Sequence, residues 1–203
     1  VLTQNKWYHV CVKRESGQIY LYLNGVSDAT AVSDTLNLTE TVFTIGDSET
    51  TSSGSMHGYI SDLRLNYNSV TPPIGGPLLP LTSDATHTKL LISSNSNKFV
   101  DSSSVGETLL ANGTPSIEAF SPYTAKDSVP DHSVHGGSFY FDDSNKRIEF
   151  NYANAISSSD YRMEFWVNLE YKSGKTYSHL FDQRTSPSDS SGYGMSCNFQ
   201  WYT

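Results

Sequence analysis

The sequence has few charged residues, no long apolar run and no basic cluster. Asp, Glu, Lys and Arg make up 17% of the 203 residues, and the formal net charge is −8. Nucleic acids and anionic membranes are bound through clustered Lys and Arg, so this charge argues against both as partners. No stretch of about 18 apolar residues occurs, so the sequence predicts no segment that spans a bilayer.

Cysteine is also scarce. Only Cys11 and Cys197 occur, and each lies within a strand pattern. Two isolated cysteines of this kind are more often small buried apolar residues than a disulfide. We therefore predict two free thiols, and the alternative is a disulfide between them.

Helical periodicity is missing as well, and alternation with a period of two residues takes its place. Tyr and Phe are abundant, while Ser, Thr, Asn and Gly separate the apolar runs. No apolar run keeps the 3.6-residue period over the length of a helix. Composition and period together predict an all-β protein with less than about 10% helix.

The clearest strand signal is a hairpin in residues 5–24. Trp7–Lys13 alternates in character, Glu15–Gly17 forms the turn, and Gln18–Asn24 returns. In the second strand Ile19, Leu21 and Leu23 fall on one face, and Tyr20 and Tyr22 fall on the other. Asn24-Gly25 predicts a second turn, because both residue types tolerate positive φ.

Further strand patterns follow along the chain. They cover residues 42–45, 59–66, 89–92, 99–103, 109–113, 135–142, 147–150, 161–169, 180–184 and 192–202. The buried side chains are predicted to be Met163, Phe165, Val167 and Leu169, with Phe139, Phe141, Ile19, Leu21 and Leu23 in the same type of core. In the strand over 59–66, alternation places Tyr59, Leu63 and Leu65 on one face and Ile60 on the other.

The hairpin carries two sequence matches, and two further matches follow it in a fixed order. Residues 7–14 read W-x-H-V-x-V-x-R, and residues 17–25 read G-x-I-x-L-Y-x-N-G. Ile45-Gly46 comes next, and then G-Y-I-S-D-L-R-L over 58–65. This order resembles laminin-G-like domains of the concanavalin A-like lectin/glucanase superfamily, with Ser61 in place of an acidic residue. The resemblance implies an antiparallel β-sandwich of the concanavalin A-like jelly-roll type.

Residues 89–203 resemble the first half of the same kind of domain. The matching residues are Phe99, Asp101, Ser102, Ser103, Asn112, Gly113, Gly137, Ser138, Phe141, Asp142, Glu164, Phe165, Trp166 and Val167. In that family W-x-H-V follows E-F-W-V, whereas here it precedes it. The resemblance therefore implies parts of two tandem modules: residues 1–66 end a first sandwich, and residues 89–203 begin a second.

Residues 67–88 lie between these parts and contain four prolines and two glycines. Proline removes a ladder donor, so an extended linker is predicted here, and a proline-rich ligand for another domain is the alternative. A piece of a tandem array, a circularly permuted domain or strands from partner chains would each explain the order of the two parts. The chain ends favour the first explanation, since Val1 directly precedes a strand and Thr203 directly follows one. We therefore expect two separate units, an expectation that pairing of residues 7–14 with a strand in 160–203 would contradict.

Residues 70–84 carry a further resemblance, to one group of multidomain proteins. The T-P-P…P-L-x-x-D pattern, together with F-x-D-S-S, is similar to tandem modules in virion proteins of tailed phages, including tail fibres. The expected function is a non-enzymatic structural or adhesion module of a virion appendage that binds surface glycans or displays other modules. Homo-oligomers and other virion subunits are the expected partners. The alternative is a carbohydrate-binding or catalytic module of a secreted glycoside hydrolase.

Catalytic residues of that superfamily are closely spaced carboxylates on one strand face. Asp160 and Glu164 stand near that place, but Tyr, Arg and Met separate them, and no second acid shares the face of Glu164 nearby. We therefore predict that the chain is not an enzyme. Glu164 is predicted to be a solvated or hydrogen-bonded residue on the outer face of a sheet.

Two types of binding site remain as candidates. Calcium takes several oxygen ligands, and Asp47, Glu49, Asp142 and Asp143 follow strand ends, although Asp in such turns often bonds its own backbone instead. No other cofactor is expected. Sugar rings stack on aromatic faces, and the aromatic residues predicted to lie opposite the aliphatic stripe are Tyr20, Tyr22, Tyr140, Trp166 and Trp201. Packing between modules would use the same residues.

Overall fold

The computed structural model describes residues 2–27, 30–47, 54–68, 77, 80–93, 99–123, 137–142, 145–151, 156, 159–174, 177–183 and 196–200. Within these ranges the secondary structure is β-strand and turn, and no helix occurs. The described residues accordingly include no helix that is long and apolar enough to cross a membrane. The all-β class predicted from the two-residue period is confirmed.

The strands form two antiparallel sheets that pack face to face as a sandwich. In chain order they are β1 (Trp7–Glu15), β2 (Gln18–Leu23), β3 (Val26–Ser27), β4 (Val32–Ser33), β5 (Val42–Ile45), β6 (His57–Tyr67), β7 (Thr88–Ser93), β8 (Val100–Asp101), β9 (Leu109–Asn112), β10 (Ser116–Glu118), β11 (Ser138–Asp142), β12 (Arg147–Asn151), β13 (Tyr161–Leu169), β14 (Tyr177–Asp182) and β15 (Ser196–Gln200). The large sheet has the order β10-β11-β6-β13-β1-β2-β3; in addition, β4 pairs with β2, and β7 pairs with β6 and β8. The small sheet has the order β15-β14-β5-β12-β9.

The hairpin forms as its sequence predicts. β1 and β2 pair from Val10 opposite Leu23 to Glu15 opposite Gln18. Ser16 and Gly17 lie between the strands at φ of 51° and 71°, the left-handed pair that a two-residue turn requires. Asn24 and Gly25 repeat this geometry at φ of 50° and 77°.

The core lies between the sheets and contains the residues predicted for it. Met163, Phe165, Val167, Leu169, Phe139 and Phe141 are all buried. Ile19, Leu21 and Leu23 pack against this core but stay half-buried. The reason is that β2 lies near the edge of the large sheet, and Ile19 and Leu21 line a groove of about 420 Å³ that also contacts Ser196, Cys197 and Asn198 of the edge strand β15.

One face assignment in β6 is wrong. Ile60 is buried with Leu63 and Leu65, while Tyr59 lies on the opposite face. The pairing with β13 shifts register at this point, because Arg64 stands opposite Glu164 and Ser61 stands opposite Trp166. Asp62 sits in the shift with φ of 50°, so β6 contains a bulge that changes the phase of its alternation.

The expectation that residues 1–66 and 89–203 form separate units is also wrong. β1 pairs with β13 over eight residues, from Trp7 opposite Asn168 to Arg14 opposite Tyr161. β13 has β6 on its other edge, and β5 lies between β12 and β14 in the small sheet. The first 67 residues thus supply the strands that join those of the second part, and the result is one sandwich.

Part of the predicted linker belongs to the same sandwich. The Leu81 backbone N–H donates to Asp62 Oδ2 at 3.2 Å, and Arg64 Nη1 donates to the Thr82 carbonyl at 2.8 Å. Tyr67 N donates to the His87 carbonyl at 2.9 Å, directly before β7 begins. Residues 81–88 therefore pack along β6, and residues 69–76, 78 and 79 lie outside the described residues.

The D-S-S pattern that carries part of the resemblance has a structural role. Asp101 is buried, and its carboxylate accepts hydrogen bonds from the backbone N–H groups of Leu91, Ser103 and Glu107 at 2.8–2.9 Å. The Ser103 hydroxyl also donates to it at 2.8 Å. This carboxylate fixes the turn after β8 and is not available as a ligand for another molecule.

Candidate functional site: an aromatic patch on the large sheet

Cross-strand rows on the large sheet bring distant residues together. We call the side of this sheet that points away from the sandwich core the outer face. One row on it runs from Trp7 in β1 to Asn168 in β13, Tyr59 in β6 and Tyr140 in β11. Residues opposite each other in paired strands point to the same face, so the register places three aromatic side chains in one line.

This row forms the centre of a larger cluster, which we call the aromatic patch: Trp7, His57, Tyr59, Phe120 and Tyr140. Ring centroids are 4.7 Å apart for Tyr59 and Tyr140, 5.0 Å for Tyr59 and Phe120, and 5.2 Å for Trp7 and Phe120. His57 lies edge-on to Tyr140 at 6.1 Å. Phe120, which follows β10, is 44% exposed, and the other four side chains are half-buried. The patch is therefore a connected aromatic surface that solvent reaches.

Polar groups border the patch. His57 Nδ1 lies 3.6 Å from Glu170 Oε2, and His57 Nε2 lies 3.4 Å from the Tyr140 hydroxyl. Burial raises the pKa of Tyr59, and the nearby Glu170 and Glu118 carboxylates raise it further. Burial and Glu170 raise the pKa of Tyr140 in the same way. Both phenols thus remain protonated donors beside carboxylate acceptors, a set of groups that can bind hydroxyls.

The predicted aromatic residues fall in different places. Tyr140 alone joins the patch. Tyr20 and Tyr22 lie at the other side of the outer face, where Lys13 Nζ is 4.8 Å and 5.8 Å from their ring centroids. Trp166, in β13, lies between the aromatic patch and these two tyrosines. Its ring centroid is 6.1 Å from that of Tyr123. Trp201 lies outside the described residues.

Four patch residues were not predicted from the sequence. Trp7 opens the W-x-H-V-x-V-x-R match and Tyr59 lies in the G-Y-I-S-D-L-R-L match, but neither pattern indicates a binding role. The bulge in β6 assigns Tyr59 to the outer face, and simple alternation gave the opposite result. Phe120 lies in a short segment without a strand pattern, so no periodicity identifies it.

Glu164 occupies the middle of the outer face and is fully buried. Its Oε1 accepts from Arg64 Nη2 at 2.6 Å and lies 3.1 Å from Arg162 Nε, and its Oε2 lies 3.4 Å from His9 Nε2. Burial raises the pKa of Glu164, but the contact with His9 and the charges of Arg64 and Arg162 outweigh it and hold the pKa below its usual value. Of the two environments predicted for Glu164 on the outer face, solvated or hydrogen-bonded, the structure has the hydrogen-bonded one.

This environment differs from that of a general acid. A catalytic acid of a glycosidase needs a raised pKa and a second carboxylate at the opposite side of the substrate. Asp160, the other candidate, instead accepts a hydrogen bond from the Ser16 backbone N–H at 3.0 Å through Oδ1. The two carboxylates therefore have separate structural contacts.

The calcium candidates are only partly described. Asp47 is buried and accepts from the Ser55 hydroxyl at 3.0 Å. Asp142 forms an ion pair with Lys146 at 2.8 Å. Glu49 and Asp143 lie outside the described residues. Within the described part of the chain, no group of three His, Cys, Asp or Glu side chains has an arrangement suited to a metal ion.

The two cysteines are free thiols, as predicted. Cys11 is buried beside Glu164 on the outer face, and Cys197 is half-buried in β15. Burial, with a smaller contribution from the Glu164 charge, raises the pKa of Cys11 to about 12. Cys11 is therefore an uncharged, unreactive side chain at neutral pH.

Asp62, in the bulge of β6, is a buried acid, and no cation among the described residues forms an ion pair with it. Burial raises the pKa of Asp62 to about 6, although Tyr123, the Leu81 amide and the Arg64 charge oppose this. Above pH 6 the folded protein must keep this carboxylate charged inside the structure. Between about pH 6 and pH 4 the folded state holds a proton that the unfolded state has released.

We therefore expect Asp62 to make the protein more stable as the pH falls from 7 to 5. Over this range the folded state takes up nearly one proton while the unfolded carboxyl stays charged, which raises the free energy of unfolding by about 1.3 kcal/mol. Urea denaturation at both pH values measures the effect. Asp62→Asn should remove it, since Asn also tolerates the φ of 50° found here. Asp84→Asn, at an exposed carboxyl, is the control, and an equal pH effect in Asp62→Asn and the wild type would contradict the prediction.

Comparison with known families gives a match over the first part of the chain. Residues 1–73 match a laminin G family model, described as the concanavalin A-like lectin/glucanases superfamily. Searches of curated proteins and of solved structures gave no match. The laminin-G-like resemblance predicted from the sequence is confirmed over these residues, and with the two antiparallel sheets it supports the jelly-roll assignment. Such a domain suggests a carbohydrate-binding or structural module.

Proposed function

We propose that this chain is a non-enzymatic adhesion module that binds a surface glycan at the aromatic patch. The observation that carries the proposal is the patch itself: five contiguous aromatic rings, solvent-accessible at Phe120 and bordered by Glu118 and Glu170. An exposed aromatic cluster with a polar border is typical of a binding surface. The match to a lectin and glucanase superfamily favours a glycan as the ligand.

The chemistry of a sugar fits both parts of the patch. The C–H face of a pyranose ring packs on the exposed Phe120 ring, where it is removed from water. The Tyr140 hydroxyl and the His57 imidazole, which lie 3.4 Å apart, can exchange hydrogen bonds with sugar hydroxyls. Glu170 accepts from a further hydroxyl and gives a charge-assisted hydrogen bond.

We further propose that the module belongs to a virion appendage or fibre of a phage, where it binds host glycans or displays neighbouring modules. This proposal is supported by the P-L-x-x-D pattern over residues 80–84 and by the D-S-S turn over residues 101–103. A calcium ion at Asp47 or Asp142 and a homo-oligomeric assembly belong to the same proposal. A secreted protein that carries the module beside a glycoside hydrolase is the second candidate, favoured by the superfamily match.

Phe120→Ala and Tyr140→Ala are expected to weaken glycan binding at least about ten-fold each, a loss of about 1.4 kcal/mol. A glycan array would identify the ligand, and calorimetry with that glycan would measure the affinity. Tyr140→Phe separates the two contributions, since it keeps the ring and removes the hydroxyl.

Tyr177→Ala is the matched control, because Tyr177 is 40% exposed but lies in β14 of the small sheet. Equal losses for Tyr177→Ala and Phe120→Ala would contradict the site. Binding that depends on Tyr20 and Tyr22 and not on Phe120 would move the site to the other side of the outer face.

No hydrolysis of β-glucans is expected, because Glu164 is held by two arginines that keep its pKa low, whereas a catalytic acid needs a raised pKa. A reducing-sugar assay with purified protein checks this. Release of reducing ends by the wild type, abolished by Glu164→Gln but kept by Glu15→Gln, would show catalysis and favour the hydrolase alternative.

A further inference from the structure

Two carboxylates flank the aromatic patch on the outer face. Glu170 follows β13; its backbone N–H donates to the His57 carbonyl at 3.0 Å, and its Oε2 lies 3.6 Å from His57 Nδ1. Glu118 ends β10 and stands opposite Ser138, directly before the buried Phe139. Because side chains alternate along a strand, Glu118 points to the outer face. The aromatic rings therefore have an acidic group at each of two borders.

Both carboxylates are open to a ligand. The side chain of Glu170 is 30% exposed. Glu118 is exposed as well, and its Oε1 accepts a hydrogen bond from the Ser116 hydroxyl at 2.9 Å. Within the described part of the chain, neither carboxylate forms an ion pair with a Lys or Arg side chain. A bound molecule can therefore supply the positive charge that these two groups lack.

The charges that act on the rings have one sign. After burial, the groups that raise the pKa of Tyr59 are the Glu170 and Glu118 carboxylates. Burial and then Glu170 raise the pKa of Tyr140 in the same way. Both effects agree with the positions of the two acids in the strand register. The surface of the patch is thus negative on both sides of its central row.

A third carboxylate near the patch is already compensated. Asp142 stands opposite His57 in the register of β11 and β6. Lys146 Nζ lies 2.8 Å from Asp142 Oδ2, and Lys172 Nζ donates to the Asp142 backbone carbonyl at 3.4 Å. These two lysines bind at the end of β11 and neutralise the third carboxylate, not the two that border the rings.

We propose that the aromatic patch prefers glycans with free amino groups, such as oligomers of unacetylated glucosamine, over neutral and acidic glycans. This inference rests on the proposed function and names the class of sugar that the same site takes. A sugar ammonium has three donors and a positive charge, so it forms charge-assisted hydrogen bonds with Glu170 or Glu118. The faces of the neighbouring rings attract the same cation, whereas a uronate meets two like charges.

Chitosan and chitin oligosaccharides of equal length are matched probes, because they differ only in a free or an acetylated amine. Calorimetry at about pH 6.5, below the ordinary pKa of a primary amine, compares their affinities. At low salt the chitosan oligomer should bind at least about ten-fold more tightly. At about 1 M salt, where charges are screened within about 3 Å, this preference should shrink. An oligogalacturonate should bind more weakly than either probe.

The double variant Glu118→Gln and Glu170→Gln keeps the shape of both side chains and removes their charges. It should bring the affinities for the two oligomers to within about two-fold of each other, the range of an exposed pair. Glu15→Gln is the matched control, since Glu15 is an exposed carboxylate that binds Lys13 away from the patch, and it should leave the preference unchanged.

Phe120→Ala distinguishes a failure of this inference from a failure of the proposed site. If the wild type binds both oligomers equally and Phe120→Ala weakens both, the patch is a glycan site without the preference, and only the inference is overturned. No binding of the chitosan oligomer, or a preference that survives the double variant, also overturns it. If chitosan binding is unchanged in Phe120→Ala, the ligand lies elsewhere, and both the inference and the proposed site are wrong.

Discussion

Phe165→Ala is expected to lower the free energy of unfolding by about 3–5 kcal/mol, the range for truncating a buried Phe to Ala. Phe165 is fully buried at the centre of β13 and meets Phe181 of the small sheet edge to face, with centroids 6.3 Å apart. The substitution leaves a cavity between the two sheets at the strand that joins β1 to β6. Such a loss is a large share of the 5–15 kcal/mol that stabilises most domains.

Urea denaturation of the wild type and the variant measures this effect. Leu110→Ala is the control, because Leu110 is 54% exposed in β9 and its truncation should cost less than about 0.5 kcal/mol. A loss for Phe165→Ala no larger than that of Leu110→Ala would mean that β13 is not the central strand of the sandwich.

Local structure was predictable where one strand and its turn determine the outcome. Alternation placed Met163, Phe165, Val167 and Leu169 in the core, and Asn24-Gly25 gave the predicted turn. The matched glycines also have a physical reason in the structure. Gly46 has φ of 87°, and a Cβ there would lie 2.3 Å from the Phe141 ring, so the strand end at I-G tolerates no side chain.

Tertiary organisation was not predictable in the same way, because it depends on pairing between distant segments. The bulge at Asp62 changes which face Tyr59 occupies, and a single strand sequence contains no signal for it. The order of the motifs led to an expectation of separate units. The structure shows instead that β1 fills the edge of β13 despite preceding it in the chain, since strand pairing is insensitive to chain order.

In the candidate site, too, only what one strand determines was predictable from the sequence. Tyr140 was identified because it alternates with Phe139 and Phe141 in one strand. Trp7 and Tyr59 join it only through the register across four strands, and Phe120 joins through a segment that lies over them. Glu164 looked like an isolated surface acid in the sequence, because Arg64 is 100 residues away along the chain.

The Glu164 carboxylate is enclosed by Arg64, Arg162 and His9, and its side chain is inaccessible to water. Arg64 Nε and Nη2 both donate to its Oε1, at 3.0 Å and 2.6 Å. The side chain of Arg64 is only 15% exposed, and that of Arg162 only 10%. Removing one partner of a buried ion pair leaves the other charge without compensation, which usually costs more than the pair itself contributes.

Glu164→Gln is therefore expected to lower the free energy of unfolding at pH 7 by about 3–5 kcal/mol. Gln has nearly the same shape, so the loss reports the missing charge beside Arg64 and Arg162 and not a cavity. Glu15→Gln is the matched control, since Glu15 also binds a cation, Lys13 Nζ at 2.9 Å, but its side chain is 42% exposed. Because water reaches the Glu15 carboxylate, removing its charge should cost at most about 1 kcal/mol.

The pH dependence separates this role from a purely steric one. The pKa of Glu164 is held below its ordinary value, so its stabilisation is complete above about pH 4.5 and is lost as the pH falls through the lower folded-state pKa. The difference between wild type and Glu164→Gln should therefore be constant from pH 7 to 5 and shrink towards pH 3, opposite in sign to the effect of Asp62. A difference that stays the same at pH 3, or a loss at pH 7 no greater than that of Glu15→Gln, would show that the Glu164 charge does not stabilise the outer face.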